Sequence, residues 1–185
     1  MDVLAENEGM LAVHIARHAI ESKLKGDTYA PTELPPIFNE KRGVFVTLKK
    51  LRDLRGCIGI PYPIMPLKIA LIEAAISAAV SDPRFPPVRN KELPDIAIEV
   101  TILSVPKLLT TSPEQRPTSV KVGTHGLIIQ ERDFSGLLLP QVPLEYGWDS
   151  TTFLEHTCLK AGLHRDCWKM SSVDVFTFEG QIFNE

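Results

Sequence analysis

Residues 44–60, VFVTLKKLRDLRGCIGI, predict the centre of a β-sheet. Residues 44–48 and 55–60 are mostly apolar runs, and the charged turn around Lys50 to Asp53 separates them. This pattern is typical of two antiparallel strands joined by a turn. The second of these strands also contains the cysteine from which the functional hypotheses start.

Cys57 lies between Gly56 and Gly59, two residues after Arg55. Side chains alternate along a strand, so Arg55, Cys57 and Gly59 are expected on one face. The glycines lack a Cβ and leave room for another backbone or a ligand. A thiol beside a positive charge in such a space is typical of a reactive or ligand-binding cysteine. A free cysteine is also among the most commonly buried side chains, so these residues leave a reactive and a structural Cys57 both open.

Apolar periodicity predicts the remaining helices and strands. Strict alternation over residues 96–103 indicates a strand with one covered face, which favours an antiparallel sheet. The other predicted elements are a helix over residues 11–24, a second helix from Pro66 to Val80, a hairpin over residues 126–139, a helix from Asp149 or Ser150 to Gly162, and a strand over residues 173–178. The buried face of the second helix is predicted to consist of Ile69, Ile72, Ile76, Ala79 and Val80.

The composition of the 185 residues, 44% hydrophobic and 23% charged, is that of an ordinary soluble globular protein. The longest nearly apolar stretch, residues 69–80, is too short to span a bilayer, and the N-terminus lacks the basic segment of a secretory signal. We therefore expect a cytoplasmic location and no membrane partner. The net charge of −3 argues against a general nucleic-acid binder.

The three cysteines form an odd number without the spacing of a disulfide framework. We therefore expect Cys57, Cys158 and Cys167 to be free thiols in a reducing compartment. Residues 41–57 carry six basic side chains and one acidic one. This basic hairpin could bind an anionic ligand, or it could form a solvated edge that keeps the strand from aggregating.

Several other side chains are candidates for chemistry. His125, between two turn glycines, is either a base for a thiol or a residue that bonds its own loop. Gln141 and Glu145 follow an apolar strand in a prolyl turn. A buried glutamine there would hydrogen-bond either to other parts of the protein, as a structural contact, or to a ligand. The stiff, prolyl-rich loop 82–87 is expected to hold Asp82 and Arg84 with little conformational freedom. No complete metal-ligand set or phosphate-binding loop is evident, so we expect no metal and no cofactor.

Several motifs occur in order: LRGCIG at 54–59, DPRFPP at 82–87, VGTHGL at 122–127, GLLLPQV at 136–142 and GWD at 147–149. Together they resemble the AMMECR domain family over essentially the whole chain. The resemblance implies an α+β fold in one domain over residues 1–185, mainly antiparallel sheet with flanking helices. This domain is expected to have a larger and a smaller lobe with a cleft and no flexible linker. The family's biochemical activity is not settled. Its genes often stand beside those of Memo-like and radical SAM proteins, which are therefore the expected partners.

Two hypotheses of function follow. In the first, the protein is an enzyme or enzyme component whose Cys57 thiolate acts on, or transiently holds, a small or macromolecular substrate. In the second, the glycine-flanked strand and the basic hairpin form a non-catalytic module that binds a protein or an RNA. For the first hypothesis, the expected catalytic residues are Cys57, Arg55 and His125, and the expected substrate-binding residues are Gly56, Gly59, Gln141, Glu145 and Arg84.

Overall fold

The computed structural model describes residues 4–185 and confirms the α+β class, with two antiparallel four-stranded sheets in that part of the chain. No helix within residues 4–185 is long and apolar enough to cross a membrane. The strands are β1 (Val44–Lys50), β2 (Asp53–Ile60), β3 (Ile96–Leu103), β4 (Lys107–Leu108), β5 (Gly126–Glu131), β6 (Phe134–Leu138), β7 (Asp174–Phe178) and β8 (Gly180–Asn184). The helices are α1 (Glu6–Lys25), α2 (Leu67–Val80), α3 (Arg116–Ser119), α4 (Val142–Tyr146) and α5 (Ser150–Lys160).

The chain divides into two compact units, and the first extends through Val105 and includes Gln181–Glu185. Its sheet has the strand order β2-β1-β3-β8, so β2 is an edge strand. One face of this sheet packs against α1 and α2 to form a buried apolar core. The alternation predicted for β3 is confirmed, because its inward residues Ile96, Ile98, Val100 and Ile102 are all buried.

The buried face of α2 differs in part from the one predicted: Ala79 is buried as expected, but Ile72, Ile76 and Val80 are only partly buried. Ile69 is 42% exposed, and the carbonyl oxygen of Ala78 lies only 2.2 Å from the position that a Cβ of Gly56 would occupy. The helix thus packs closely on β2, and small side chains permit this approach better than large ones. The buried residues of α2 are accordingly Leu67, Ala70, Leu71, Ala74, Ala75, Ala78 and Ala79.

The second unit comprises Pro106–Gly180, and its sheet has the strand order β4-β7-β5-β6. Its core lies between this sheet and α5, which contributes the buried Phe153 and Leu154. The predicted start of α5 is confirmed, because the Thr152 N–H donates to Asp149 Oδ1 at 2.7 Å.

The prediction of three free thiols is wrong for two of them. Cys158 in α5 forms a disulfide with Cys167, at a sequence separation of nine, and both residues are buried. The chain folds back after α5 and brings the two Cα atoms to 5.9 Å. This return depends on the path of the connecting loop, which cysteine spacing does not reveal. Cys57 keeps its free thiol.

A buried arginine holds the segment that follows this disulfide. Arg116, at the start of α3, donates hydrogen bonds to the carbonyl oxygens of Trp168, Met170 and Val173. Burial lowers the pKa of its guanidinium. The carbonyls satisfy most of its donors, so Arg116 acts as a structural clamp inside the second unit.

Candidate functional site

Cys57 lies on the face of the first sheet that is turned away from α2. It pairs with Thr47 of β1, and Thr47 Oγ1 lies 3.2 Å from Cys57 Sγ. Gly59 is on the same face, because a Cβ there would lie 2.1 Å from the ring of Phe45. The half-buried thiol therefore has the Thr47 hydroxyl opposite it. The ring of Phe45 lies on the same face, two residues from Thr47 along β1.

Two side chains from the loop after α2 fix the backbone at Cys57. The Cys57 N–H donates to Asp82 Oδ2 at 2.8 Å, and Arg84 Nη2 donates to the Cys57 carbonyl oxygen at 3.0 Å. Because β2 is an edge strand, these outward backbone groups have no neighbouring strand to pair with. Asp82 and Arg84 take the place of that strand and hold Cys57 in one position.

The two clamping side chains also bind each other. Arg84 Nε lies 2.9 Å from Asp82 Oδ1, and Arg84 Nη2 lies 2.7 Å from Asp82 Oδ2. The side chain of Asp82 is 2% exposed and that of Arg84 is 54% exposed. The hydrogen bonds from Arg84 hold the pKa of Asp82 well below its usual range, and the Cys57 N–H adds to this effect. The pKa of Arg84 is raised, chiefly by Asp82 and to a smaller extent by the side chain of Cys57.

Arg55 does not follow the alternation that would place it beside Cys57. The strand register shifts between Leu48 and Lys49, which leaves Arg55 as an extra residue in a β-bulge. Its guanidinium instead bonds Glu92, with Nη2 at 3.3 Å and Nε at 3.5 Å from the carboxylate oxygens. Its Nη1 is buried and has no hydrogen-bond partner among residues 4–185. The cation beside the thiol is therefore Arg84.

Carboxylates neutralise much of the basic hairpin. Lys49 Nζ lies 2.7 Å from Glu99 Oε2, and Lys50 Nζ lies 3.5 Å from the Glu92 carboxylate that also binds Arg55. The Arg89 N–H and Arg55 together lower the pKa of Glu92 to about 2. These charges tie the hairpin to its own unit, which leaves fewer of them for an anionic ligand.

His125 belongs to the second unit and bonds its own loop. Its Nδ1 accepts a hydrogen bond from the Lys121 N–H at 3.2 Å, and its Nε2 lies 3.9 Å from Glu179 Oε1. Burial lowers the pKa of the imidazole, while Glu179 acts in the opposite direction. Acceptance at Nδ1 favours the neutral tautomer with its proton on Nε2.

Gln141 and Glu145 also belong to the second unit, at the start and on the surface of α4. Both side chains are exposed, so Gln141 is not the buried amide that the apolar strand before it suggested. The structure thus brings together Cys57, Gly59 and Arg84 in the first unit, whereas Gly56 lies on the opposite face of β2 against the backbone of α2. Arg55 belongs to the same unit but bonds Glu92, and the three other candidates, His125, Gln141 and Glu145, lie in the second unit.

Sequence reasoning did not include Thr47 and Asp82 among the site residues. Thr47 was not predictable from the hairpin alone, because a register centred on residues 50–53 pairs it with Gly56, and the bulge at Arg55 moves it opposite Cys57. Asp82 is separated from Cys57 by 25 residues, and only its position in the stiff prolyl loop pointed to a defined role. Within residues 4–185, no three His, Cys, Asp or Glu side chains are grouped so that they could hold a metal ion.

The sequence matches the family model AMMECR1 over residues 13–183. A protein from Methanococcus aeolicus is 53% identical, in an alignment that covers 100% of this chain and 94% of the relative. Protein MJ0810 from Methanocaldococcus jannaschii is 52% identical over the same shares of both chains. The crystal structure of the uncharacterized protein PH0010 from Pyrococcus horikoshii matches with a TM-score of 0.80 and 48% identity, covering 98% of this chain and 93% of that one.

Proposed function

Because this chain belongs to the AMMECR1 family, whose motif LRGCIG contains Cys57, we propose that it is an enzyme or enzyme component acting through the Cys57 thiolate. One observation carries the proposal: both backbone groups of this half-buried free cysteine are fixed by the Asp82–Arg84 pair. The clamp holds the thiol in one position relative to its surroundings, as a reacting group requires.

The neighbouring groups suit a thiolate. Arg84 supplies a positive charge beside Sγ, and the Thr47 hydroxyl can donate a hydrogen bond to it. The thiol proton leaves to solvent, and sulfur then bonds to an electrophilic carbon of the substrate. The leaving group departs with the electron pair of the bond that breaks. The exposed side of the Arg84 guanidinium is placed to bind an anionic group of that substrate.

The test is alkylation of the folded protein by iodoacetamide at a series of pH values, followed by intact mass. The disulfide removes Cys158 and Cys167 from the reaction, so one adduct reports Cys57. We expect Cys57 to react at neutral pH faster than it does in the unfolded protein. Protection of Cys57 until the protein is denatured would contradict the proposal.

Two variants identify the cause of the reactivity. Arg84→Gln removes the charge beside Sγ and is expected to slow alkylation at neutral pH by about three- to tenfold. Arg89→Gln is the matched control, because Arg89 is an exposed arginine five residues away whose side chain is not part of the clamp. An equal effect of both substitutions would show that Arg84 does not act on the thiol.

The second candidate, a binding module, is favoured by the tip of the hairpin. Leu51 is 87% exposed there, beside the exposed Arg52. A partner with an apolar pocket and an acidic rim would bind such a tip. Loss of partner capture in Leu51→Ser and Arg52→Glu, with unchanged capture in Cys57→Ala, would favour this candidate over the enzyme.

A further inference from the structure

Three rings form a column in the second unit. The rings of Tyr146 and Trp148 are stacked with centroids 4.9 Å apart and an interplanar angle of 18°. Trp148 stacks in turn on His156 of α5, at 3.9 Å and 9°. Trp148 belongs to the motif GWD at 147–149. This motif has no role in the chemistry proposed for Cys57.

The local backbone holds this column in place. Gly147 has a φ of 65°, a left-handed conformation that ends α4 and turns the chain back. The Trp148 N–H then donates to the Pro143 carbonyl oxygen at 2.8 Å. Asp149 begins α5, the helix that carries His156. The three rings are therefore preorganised, and a ligand need not order them.

One end of the column is open. Tyr146 is 67% exposed and the neighbouring Leu144 is 62% exposed, whereas Trp148 and His156 are half-buried. Adjacent exposed apolar side chains of this size are a feature of binding surfaces. The outer face of Tyr146 can accept one more flat group, which would extend the stack.

Two acidic residues adjoin the stacked Tyr146 and Trp148 in the chain, and they bear on the kind of group that would bind. Glu145 is exposed and makes no ion pair among residues 4–185. Asp149 is also exposed, and the hydrogen bond from the Thr152 N–H lowers the pKa of its carboxyl, so it is charged at neutral pH. Glu145 precedes Tyr146 and Asp149 follows Trp148 in the chain, and carboxylates this close to the stacked rings favour a cation over an anion. A guanidinium is flat and cationic, and it satisfies both requirements.

We propose that the Tyr146–Trp148–His156 column, with Glu145 and Asp149, is a docking site for an arginine side chain of a partner protein. The guanidinium stacks on the outer face of Tyr146 and bonds the Glu145 carboxylate, while Leu144 contacts the aliphatic part of the arginine. This site lies within the second unit and does not depend on the reactivity of Cys57.

The test is a titration of the full-length, nitrogen-15-labelled protein, followed at the indole N–H of Trp148. The probes are the blocked tripeptide Gly-Arg-Gly, its citrulline analogue, which is flat but neutral, and adenosine monophosphate, which is aromatic but anionic. We expect a saturable shift with the arginine peptide and binding weaker by about fivefold or more with citrulline. Tyr146→Ala should abolish the shift, and Glu145→Gln should weaken binding by about threefold.

Phe134→Ala is the matched control, because Phe134 is an exposed aromatic residue of the same unit outside the column. It should bind the arginine peptide as the wild type does. The unchanged indole signal of the buried Trp168 shows that each variant is folded. Equal binding of the citrulline and arginine peptides, unaltered binding by Tyr146→Ala, or saturation by the nucleotide alone would each overturn the proposal.

Discussion

Asp82 is the residue on which the position of Cys57 most depends. Its carboxylate is almost completely buried, yet it is charged, and it accepts hydrogen bonds from the Cys57 N–H and from Arg84. A buried charge is tolerated when such partners satisfy its oxygens. The same bonds that hold the carboxylate ionised therefore also hold the strand edge.

Replacing the carboxylate by an amide tests this role. Asp82→Asn removes the charge that pairs with Arg84, so we expect the free energy of unfolding to fall by about 2–3 kcal/mol in a urea titration. The control is Asp95→Asn, at an exposed aspartate, with an expected change below about 0.5 kcal/mol. Similar losses in the two variants would contradict a special role for Asp82.

Glu92 gives the protein a defined pH dependence. Its pKa in the folded state is about 2, below that of an ordinary glutamate, so the stability it contributes is complete above about pH 4.5 and is lost as the pH falls towards 2. We expect Glu92→Gln to reduce the loss of unfolding free energy between about pH 5 and pH 2.5 by roughly 1 kcal/mol.

Urea titrations at several pH values measure this loss. Glu73→Gln is the control, since Glu73 is an exposed residue in the middle of α2. An identical acid profile of Glu92→Gln and the wild type would show that Glu92 does not link the hairpin to the segment Asn90–Asp95.

At the level of elements, the contact between β2 and α2 decides which residues must be small. Gly56 faces the backbone of α2, whose Ala78 carbonyl oxygen leaves no room for a Cβ. Gly59 faces the other way, and what fills the space above it is the ring of Phe45. A backbone carbonyl in a helix cannot move without moving the helix, whereas an aromatic ring can turn aside.

The two glycines should therefore differ in their response to alanine. We expect Gly56→Ala to lower the free energy of unfolding by about 2–3 kcal/mol, and Gly59→Ala by about 1 kcal/mol. Chemical denaturation of the two variants under the same conditions measures the difference. A larger loss for Gly59→Ala would show that the Phe45 ring is the less movable neighbour.

In the whole molecule, each unit has its own buried core, and the two units differ in what stabilises them. The first unit has no disulfide among its described residues and depends on close packing of helices on its sheet. The second unit combines a smaller core with a disulfide and the Arg116 clamp. A small core gains most from a cross-link, because it buries less apolar surface.

Reduction should therefore act on the second unit. Closing a loop with a sequence separation of nine contributes about 2–3 kcal/mol in the chain-entropy account, and this should be lost when Cys158 and Cys167 are reduced. Amide hydrogen exchange with and without reductant should show faster exchange in residues 106–180. The Cys158→Ser/Cys167→Ser variant is the control and should not respond to reductant.

Thiol titration tests the same bond directly. The unreduced protein should contain one reactive thiol after denaturation, and the reduced protein three. Three thiols without reductant would contradict the disulfide.

Local patterns made a large part of the fold predictable. The first hairpin, the alternation of β3, the second hairpin and the N-cap of α5 depend on periodicity or on turn and capping residues within a few positions. The buried face of α2 was not predictable in this way. Apolar spacing favoured its isoleucines, but the available space between helix and sheet favoured its alanines.

The strand that carries Cys57 and the motif around it were predictable from sequence, because they depend on neighbours along the chain, and the family motifs implied the α+β class. Which cation lies beside the thiol depends instead on the three-dimensional fold. The bulge turns Arg55 towards Glu92, while Arg84 reaches Cys57 from 27 residues away. The pairing of Cys158 with Cys167 was decided in the same way. Such contacts depend on how the chain folds between distant residues, and a local sequence pattern does not specify this.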